Sequence, residues 1–123
     1  MLRHAPPTPG VHLVLGDAGR IPLPDASVDG VLCLDALHHF RDLARTLHEA
    51  RRVLKPGRRI VVEELDATRL WVRMLGRLEG LFGEPGTLWT PAELQHLLSE
   101  AGLPPRMVAS RGAVLLAVAE RPS

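Results

Sequence analysis

Two adjacent histidines, His38 and His39, are the residues of this sequence best suited to acid–base chemistry. A histidine side chain titrates near neutral pH, so it can take a proton from an oxygen or nitrogen nucleophile. Together with Cys33 the two histidines also offer ligand types that bind zinc. No fourth ligand stands at a familiar spacing, so we expect no metal site. A further interpretation is that either histidine caps or packs the start of the next helix.

The elements that must position these residues alternate between strands and helices. Residues 11–15, 31–34 and 60–65 predict three strands. The run at residues 31–34 is nearly unbroken in its apolar character, which favours a strand buried in a parallel sheet. Residues 42–54 carry apolar side chains at helical spacing and predict an amphipathic helix. The segment Lys55-Pro56-Gly57 should end that helix.

The second half of the chain predicts two further helices and a hairpin. Residues 70–82 place apolar side chains on one helical face. Thr90 and Glu93 form a capping box around Pro91, which predicts a helix that starts there. Two runs at residues 107–110 and 113–119 have hairpin spacing. Strands that alternate with helices predict an α/β layered fold.

Composition limits the class of protein. The chain has 123 residues, of which 46% are hydrophobic and 24% charged, and this predicts one globular domain over residues 1–123. A net charge of +1 gives no support to nucleic-acid binding. The single cysteine excludes an internal disulfide. Without an apolar stretch of membrane-spanning length or a signal peptide, we expect a soluble, cytoplasmic protein.

Five segments, in this order and spacing, resemble the second half of the class I S-adenosylmethionine-dependent methyltransferases. The similarity is greatest to the small-molecule branch, which includes quinone and sterol methylases. It implies a Rossmann-like methyltransferase sheet with helices on its faces and a C-terminal antiparallel hairpin. The five segments are Gly16-Asp17-Ala18, residues 21–25, residues 28–31, residues 36–40 and residues 52–57.

The resemblance implies a cofactor site for S-adenosylmethionine. Gly16 would end a strand, the Asp17 carboxylate would accept the adenine amino group, and the Ala18 amide would meet a ring nitrogen. Leu34 and Asp35 would lie at the carboxyl edge of the sheet, where open α/β folds bind ligands. For Asp17 there is an alternative, because aspartate commonly accepts a hydrogen bond from its own backbone in a turn.

The resemblance also implies catalytic positions and a reaction. His38 and His39 would stand beside the transferred methyl group and remove a proton from a small-molecule acceptor. Methyl transfer from a sulfonium depends mainly on in-line positioning, so a strong base is not required of every such site.

One part of the family's pattern is not found in these residues. No G-x-G-x-G motif occurs, so about one βαβ unit of roughly 30 residues, together with its ribose-binding acidic residue, would be missing from the front. We therefore expect an incomplete methyltransferase domain or, alternatively, a non-catalytic dimerising or binding module derived from the fold. The strand at residues 30–35 would keep an unpaired apolar edge, which predicts a homodimer. The helix from Trp71 to Phe82 is a predicted contributor to it.

Overall fold

The computed structural model describes residues 8–34, 42–66 and 89–123. The described part is a mixed α/β fold with one four-stranded sheet, in the order β1-β2-β4-β3. Its strands are β1 (Val28–Leu34), β2 (Leu54–Leu65), β3 (Pro105–Arg111) and β4 (Val114–Glu120). The described helices are α1 (Leu43–Val53), between β1 and β2 in the chain, and α2 (Pro91–Glu100), before β3.

The strand directions confirm the predicted architecture. β1 and β2 are parallel, with α1 as the crossover between them. β4 is antiparallel to both of its neighbours, β2 and β3, so the C-terminal hairpin inserts its second strand beside β2. The turn of that hairpin contains Gly112, whose φ of +62° favours a residue without a side chain.

Helix α1 forms close to the predicted range of residues 42–54. The Asp42 carboxylate caps its first turn by accepting a hydrogen bond from the backbone N–H of Arg45 at 3.1 Å. Its buried face includes Leu47, Ala50 and Val53. The helix ends at Val53, and Leu54 is already extended, so it stops just before the predicted Lys55-Pro56-Gly57 segment.

Strand β2 is longer than the predicted residues 60–65, because it starts at Leu54 directly after α1. Its pairing with β1 shifts register between Val28 and Gly30. In the extra stretch Gly57 has a φ of +77°, and its N–H donates to the Arg121 carbonyl at 2.8 Å. The irregular start of β2 is thus hydrogen-bonded to the residue that follows β4. A local sequence pattern does not predict this long-range contact.

Helix α2 begins where the capping pattern predicts. The Thr90 hydroxyl accepts a hydrogen bond from the backbone N–H of Glu93 at 3.1 Å, and Pro91 occupies the first turn. The helix ends at Glu100, and Gly102 then adopts a φ of +76°. The helix predicted at residues 70–82 lies outside the described residues.

A single hydrophobic core lies between one face of the sheet and both described helices. Alternate residues of β2 and β4 point into it, as expected for strands with one face covered. The buried members are Leu47, Ala50, Leu54, Ile60, Val62, Leu94, Leu98, Leu103, Leu115, Ala117 and Ala119.

The prediction of a strand at residues 11–15 is wrong, since residues 11–16 adopt no regular secondary structure. An apolar run becomes a strand only when a neighbouring strand pairs with its backbone. Here the side chains of the run are exposed, and Leu15 reaches 85% exposure. The apolar composition of residues 11–15 therefore predicted a strand that does not form.

Strand β1 lies at the edge of the sheet, as expected for the segment at residues 30–35. Among the described residues β1 pairs with β2 and with no other strand. Leu32 is 71% exposed and Leu34 is 55% exposed, so this edge strand presents two large apolar side chains to solvent on one face of the sheet.

Candidate functional site

A cleft of about 320 Å³ lies beside the segment that precedes β1. The predicted cofactor residues Gly16, Asp17 and Ala18 contribute one side of it. Among the described residues most of the lining is apolar, and Asp17 is charged. The described lining residues are Val14, Gly16, Asp17, Ala18, Ile21, Pro22 and Leu23.

Asp17 forms the turn that one interpretation predicts for it, and adenine binding stays a prediction. Its Oδ1 accepts a hydrogen bond from the Gly19 N–H at 2.8 Å, and its carbonyl accepts from the Arg20 N–H at 2.9 Å, so it does build a turn. Its other carboxylate oxygen, Oδ2, makes no hydrogen bond to any described residue. The turn therefore engages Oδ1 and the backbone carbonyl of Asp17, while Oδ2 has no hydrogen-bond partner among the described residues.

Gly16 allows two walls of the cleft to approach each other. A Cβ atom at this position would lie 2.7 Å from Cδ and 2.9 Å from Cγ of Pro22. Such distances are well below van der Waals contact, and a proline ring has little freedom to move away. Close approach of the Pro22 ring is thus the physical reason for glycine here.

Polar side chains of α1 hold the opposite wall of the cleft. Glu49 Oε2 accepts a hydrogen bond from the Ile21 N–H at 2.9 Å. Arg52 donates to the carbonyls of Ile21 and Leu23, both at 2.9 Å. Glu49 and Arg52 fall outside the apolar spacing that predicts this helix, and that spacing gives them no role in a cleft. Their i, i+3 spacing is the one signal that could have marked them as a pair.

The pKa of Glu49 falls from its ordinary 4.5 to about 2, chiefly because Arg52 donates hydrogen bonds to the carboxylate. The Ile21 N–H and the charges of Arg52 and His48 lower the pKa further, while burial opposes the shift. The pair is close, with Arg52 Nε 2.9 Å from Glu49 Oε1. Glu49 therefore stays ionised when the protein is folded at any ordinary pH.

This shift predicts how stability responds to acid. A depressed folded-state pKa adds stability that is complete above the unfolded value of 4.5 and is lost as the pH falls toward about 2. We expect the free energy of unfolding, measured in urea, to fall less steeply between these values in Glu49→Gln than in the natural sequence. In an Arg52→Ala background the same substitution should change the slope much less, because Arg52 is the main cause of the shift. Equal slopes for Glu49→Gln and the natural sequence would contradict the coupling.

The other predicted site residues divide into two groups. Leu34 is the last residue of β1 and is half-exposed at the carboxyl end of that strand. Asp35, His38 and His39 lie outside the described residues, so their roles stay predictions.

Cys33 is half-buried on β1, opposite Val62 of β2. Burial raises the pKa of its thiol to about 11, and the negative charge of Glu64 adds to the shift. A thiol with this pKa is protonated at neutral pH, which disfavours the thiolate that a zinc ion would need. Within residues 8–34, 42–66 and 89–123, no three His, Cys, Asp or Glu side chains cluster as metal ligands.

No helix in the described ranges has the length and apolar character needed to cross a lipid bilayer.

The sheet order and the C-terminal hairpin define a Rossmann-like methyltransferase fold. A sequence profile of the methyltransferase domain matches residues 1–62, about half of the chain. The chain belongs to this family, among the class I S-adenosylmethionine-dependent methyltransferases.

Three comparisons show the extent of the similarity. An uncharacterized methyltransferase of Mycobacterium tuberculosis is 46% identical over 74 residues, which are 58% of this chain and 30% of that protein. The demethylmenaquinone methyltransferase of Deinococcus radiodurans is 38% identical over 87 residues, covering 71% of this chain and 31% of that protein. A solved S-adenosylmethionine-dependent methyltransferase of Thermotoga maritima superposes with a TM-score of 0.80 at 23% identity, covering 91% of this chain and 64% of that one. The chain thus spans about 30% of the length of these two curated relatives.

Proposed function

We propose that this chain forms part of the S-adenosylmethionine site of a methyltransferase that acts on a small molecule. The cleft at Gly16, Asp17 and Ala18 is the observation that carries the proposal, because these are the residues to which the resemblance assigns adenine binding. Its apolar walls suit a flat aromatic base, and the Asp17 Oδ2 atom suits an amino group on that base. The similarity to a demethylmenaquinone methyltransferase supports a small-molecule acceptor.

Each residue then has a defined task. The Asp17 carboxylate accepts a hydrogen bond from the adenine amino group, and the Ala18 N–H donates to a ring nitrogen. Leu34 and Asp35 contact the cofactor at the carboxyl end of β1. When bound, S-adenosylmethionine supplies an electrophilic methyl group on a sulfonium sulfur. His38 and His39 orient the acceptor and receive the proton that its oxygen or nitrogen loses.

Substitutions of Asp17 can distinguish its proposed role in adenine binding from its role in the turn with Gly19. Asp17→Asn keeps an oxygen for the Gly19 N–H but replaces Oδ2 with an amide nitrogen, which cannot accept a hydrogen bond from an amino group. We expect Asp17→Asn and Asp17→Ala to abolish adenosine-induced shifts of the Gly16 and Ala18 amide NMR signals. Their free energies of unfolding should change by only about 0.5 kcal/mol, as for other exposed polar sites.

Equal adenosine shifts in the natural sequence and both variants would show that Asp17 is a turn residue only. For the 123-residue chain itself we expect a dissociation constant for S-adenosylmethionine no tighter than about 1 mM, near 4 kcal/mol of binding free energy. The family's glycine-rich motif, which holds most of the cofactor, does not occur in these residues. A micromolar constant from calorimetric titration of this chain would contradict that expectation.

A second candidate function is a non-catalytic module that assembles into a homodimer. The exposed Leu32 and Leu34 side chains on the edge strand β1 favour it, because unpaired apolar edges recruit further strands. The two functions differ in a direct assay. Transfer of a labelled methyl group from S-adenosylmethionine to a quinone-type acceptor supports the enzyme, and a stable dimer without transfer supports the module.

A further inference from the structure

Residues 19–25 are attached to α1 by a set of long-range polar contacts that we call the α1 clamp. It consists of Arg45, Glu49 and Arg52, which lie on successive turns of α1. Arg45 Nε donates to the Gly19 carbonyl at 2.7 Å, and Glu49 accepts from the Ile21 N–H at 2.9 Å. Arg52 donates hydrogen bonds to three residues of the same loop, Ile21, Leu23 and Asp25. The clamp thus connects residues that are 26 to 31 positions apart in the chain.

Arg52 is the centre of the clamp because its guanidinium is fully used. The guanidinium carries five N–H donors. Two of them form a fork with Glu49, and the others bind the loop. Its loop partners are the Ile21 carbonyl at 2.9 Å, the Leu23 carbonyl at 2.9 Å and Asp25 Oδ1 at 2.7 Å.

The clamped groups belong to the cleft itself. Ile21, Pro22 and Leu23 form one wall, and their backbone has no regular secondary structure to fix it. Glu49 and Arg52 are mostly shielded from water, with 14% and 27% of their side chains exposed. Hydrogen bonds between charged side chains and backbone are stronger in such surroundings than on an open surface. The position of the wall therefore depends on α1.

We infer that Arg52 and Glu49 are positioning residues that set the shape of the cleft for an adenine nucleoside. This inference rests on the proposed function, because it assumes that the cleft takes such a ligand. Neither residue lines the cleft. They act through the backbone of Ile21 and Leu23, whose side chains do line it.

The test compares Arg52→Ala with Arg51→Ala. Arg51 is the neighbouring arginine on α1, but its Nε donates to the Gly102 carbonyl after α2, so it is a matched control. Without ligand, we expect amide hydrogen exchange at Ile21 to accelerate about tenfold in Arg52→Ala, beyond any change in global unfolding, and to stay unchanged in Arg51→Ala. The initial slope of the adenosine-induced shift at Ala18 should fall about tenfold in Arg52→Ala alone.

Arg52→Lys covers the case in which the alanine variant does not fold. Lysine keeps the positive charge but lacks the planar fork that reaches Glu49 and two carbonyls together. We therefore expect Arg52→Lys to stay folded but to lose most of the initial slope of the adenosine-induced shift at Ala18. A slope equal to that of the natural sequence would overturn the positioning role of Arg52.

The outcomes separate the two hypotheses. Unchanged exchange at Ile21 in Arg52→Ala, or faster exchange with an unchanged adenosine slope, overturns the positioning role and leaves the proposed function intact. No adenosine shift in the natural sequence overturns the proposed function, and this inference with it. The exchange data still report in that case whether the α1 clamp orders the loop.

Discussion

We expect the chain to form a homodimer, and we expect replacement of Leu32 and Leu34 with lysine to make it monomeric. Both side chains are more than half exposed on β1, which pairs on one side only among the described strands. A strand edge of this kind attracts a second strand, and lysine is a residue that natural edges use to prevent pairing. In sedimentation equilibrium at micromolar concentrations, we expect the natural sequence to sediment at about twice its 13.5 kDa mass and the double variant at 13.5 kDa.

Leu15→Lys is the matched control for this experiment. Leu15 is also an exposed leucine, at 85%, but it lies in the irregular segment between Val14 and Gly16 and not in the sheet. It should leave the dimer unchanged. A single 13.5 kDa species for the natural sequence at every concentration rules out the homodimer, and a double variant that still dimerises moves the interface away from β1.

Gly16→Ala should damage the cleft more than any other single-methyl change near it. The added Cβ would lie 2.7 Å from Pro22 Cδ, so the proline and the wall that contains it must move. Forced displacement of packed atoms typically costs about 1–3 kcal/mol of stability. We expect a loss of this size in urea unfolding and a fall of about tenfold in the adenosine-induced amide shifts.

Gly19→Ala separates steric closure from a general effect of losing glycine. At Gly19 the nearest atom to an added Cβ is Asp17 Oδ1 at 3.4 Å, which is ordinary contact. This variant should unfold and bind adenosine like the natural sequence. If Gly16→Ala also behaves like the natural sequence, then Pro22 is free to move and the cleft is not closely packed at this point.

Local sequence determined the two described helices and the C-terminal hairpin of this protein. The cap at Thr90, the apolar spacing of α1 and the turn at Gly112 each act over a few residues, so their patterns predict the elements that form. The order of short motifs also led to the methyltransferase family, which the comparisons confirm. The single domain over residues 1–123 stays a prediction, supported by the one core that joins α1, α2 and the sheet.

The tertiary structure alone decided which apolar run became a strand and how the cleft is held. Residues 11–15 have the composition of a strand, but strand formation needs a partner backbone, which composition does not supply. From the sequence, Glu49 and Arg52 have the character of solvent-exposed helix residues. In the structure they form hydrogen bonds with the backbone of Ile21 and Leu23. Contacts across 26 to 31 positions depend on how α1 packs against the sheet, and a local pattern does not contain that information.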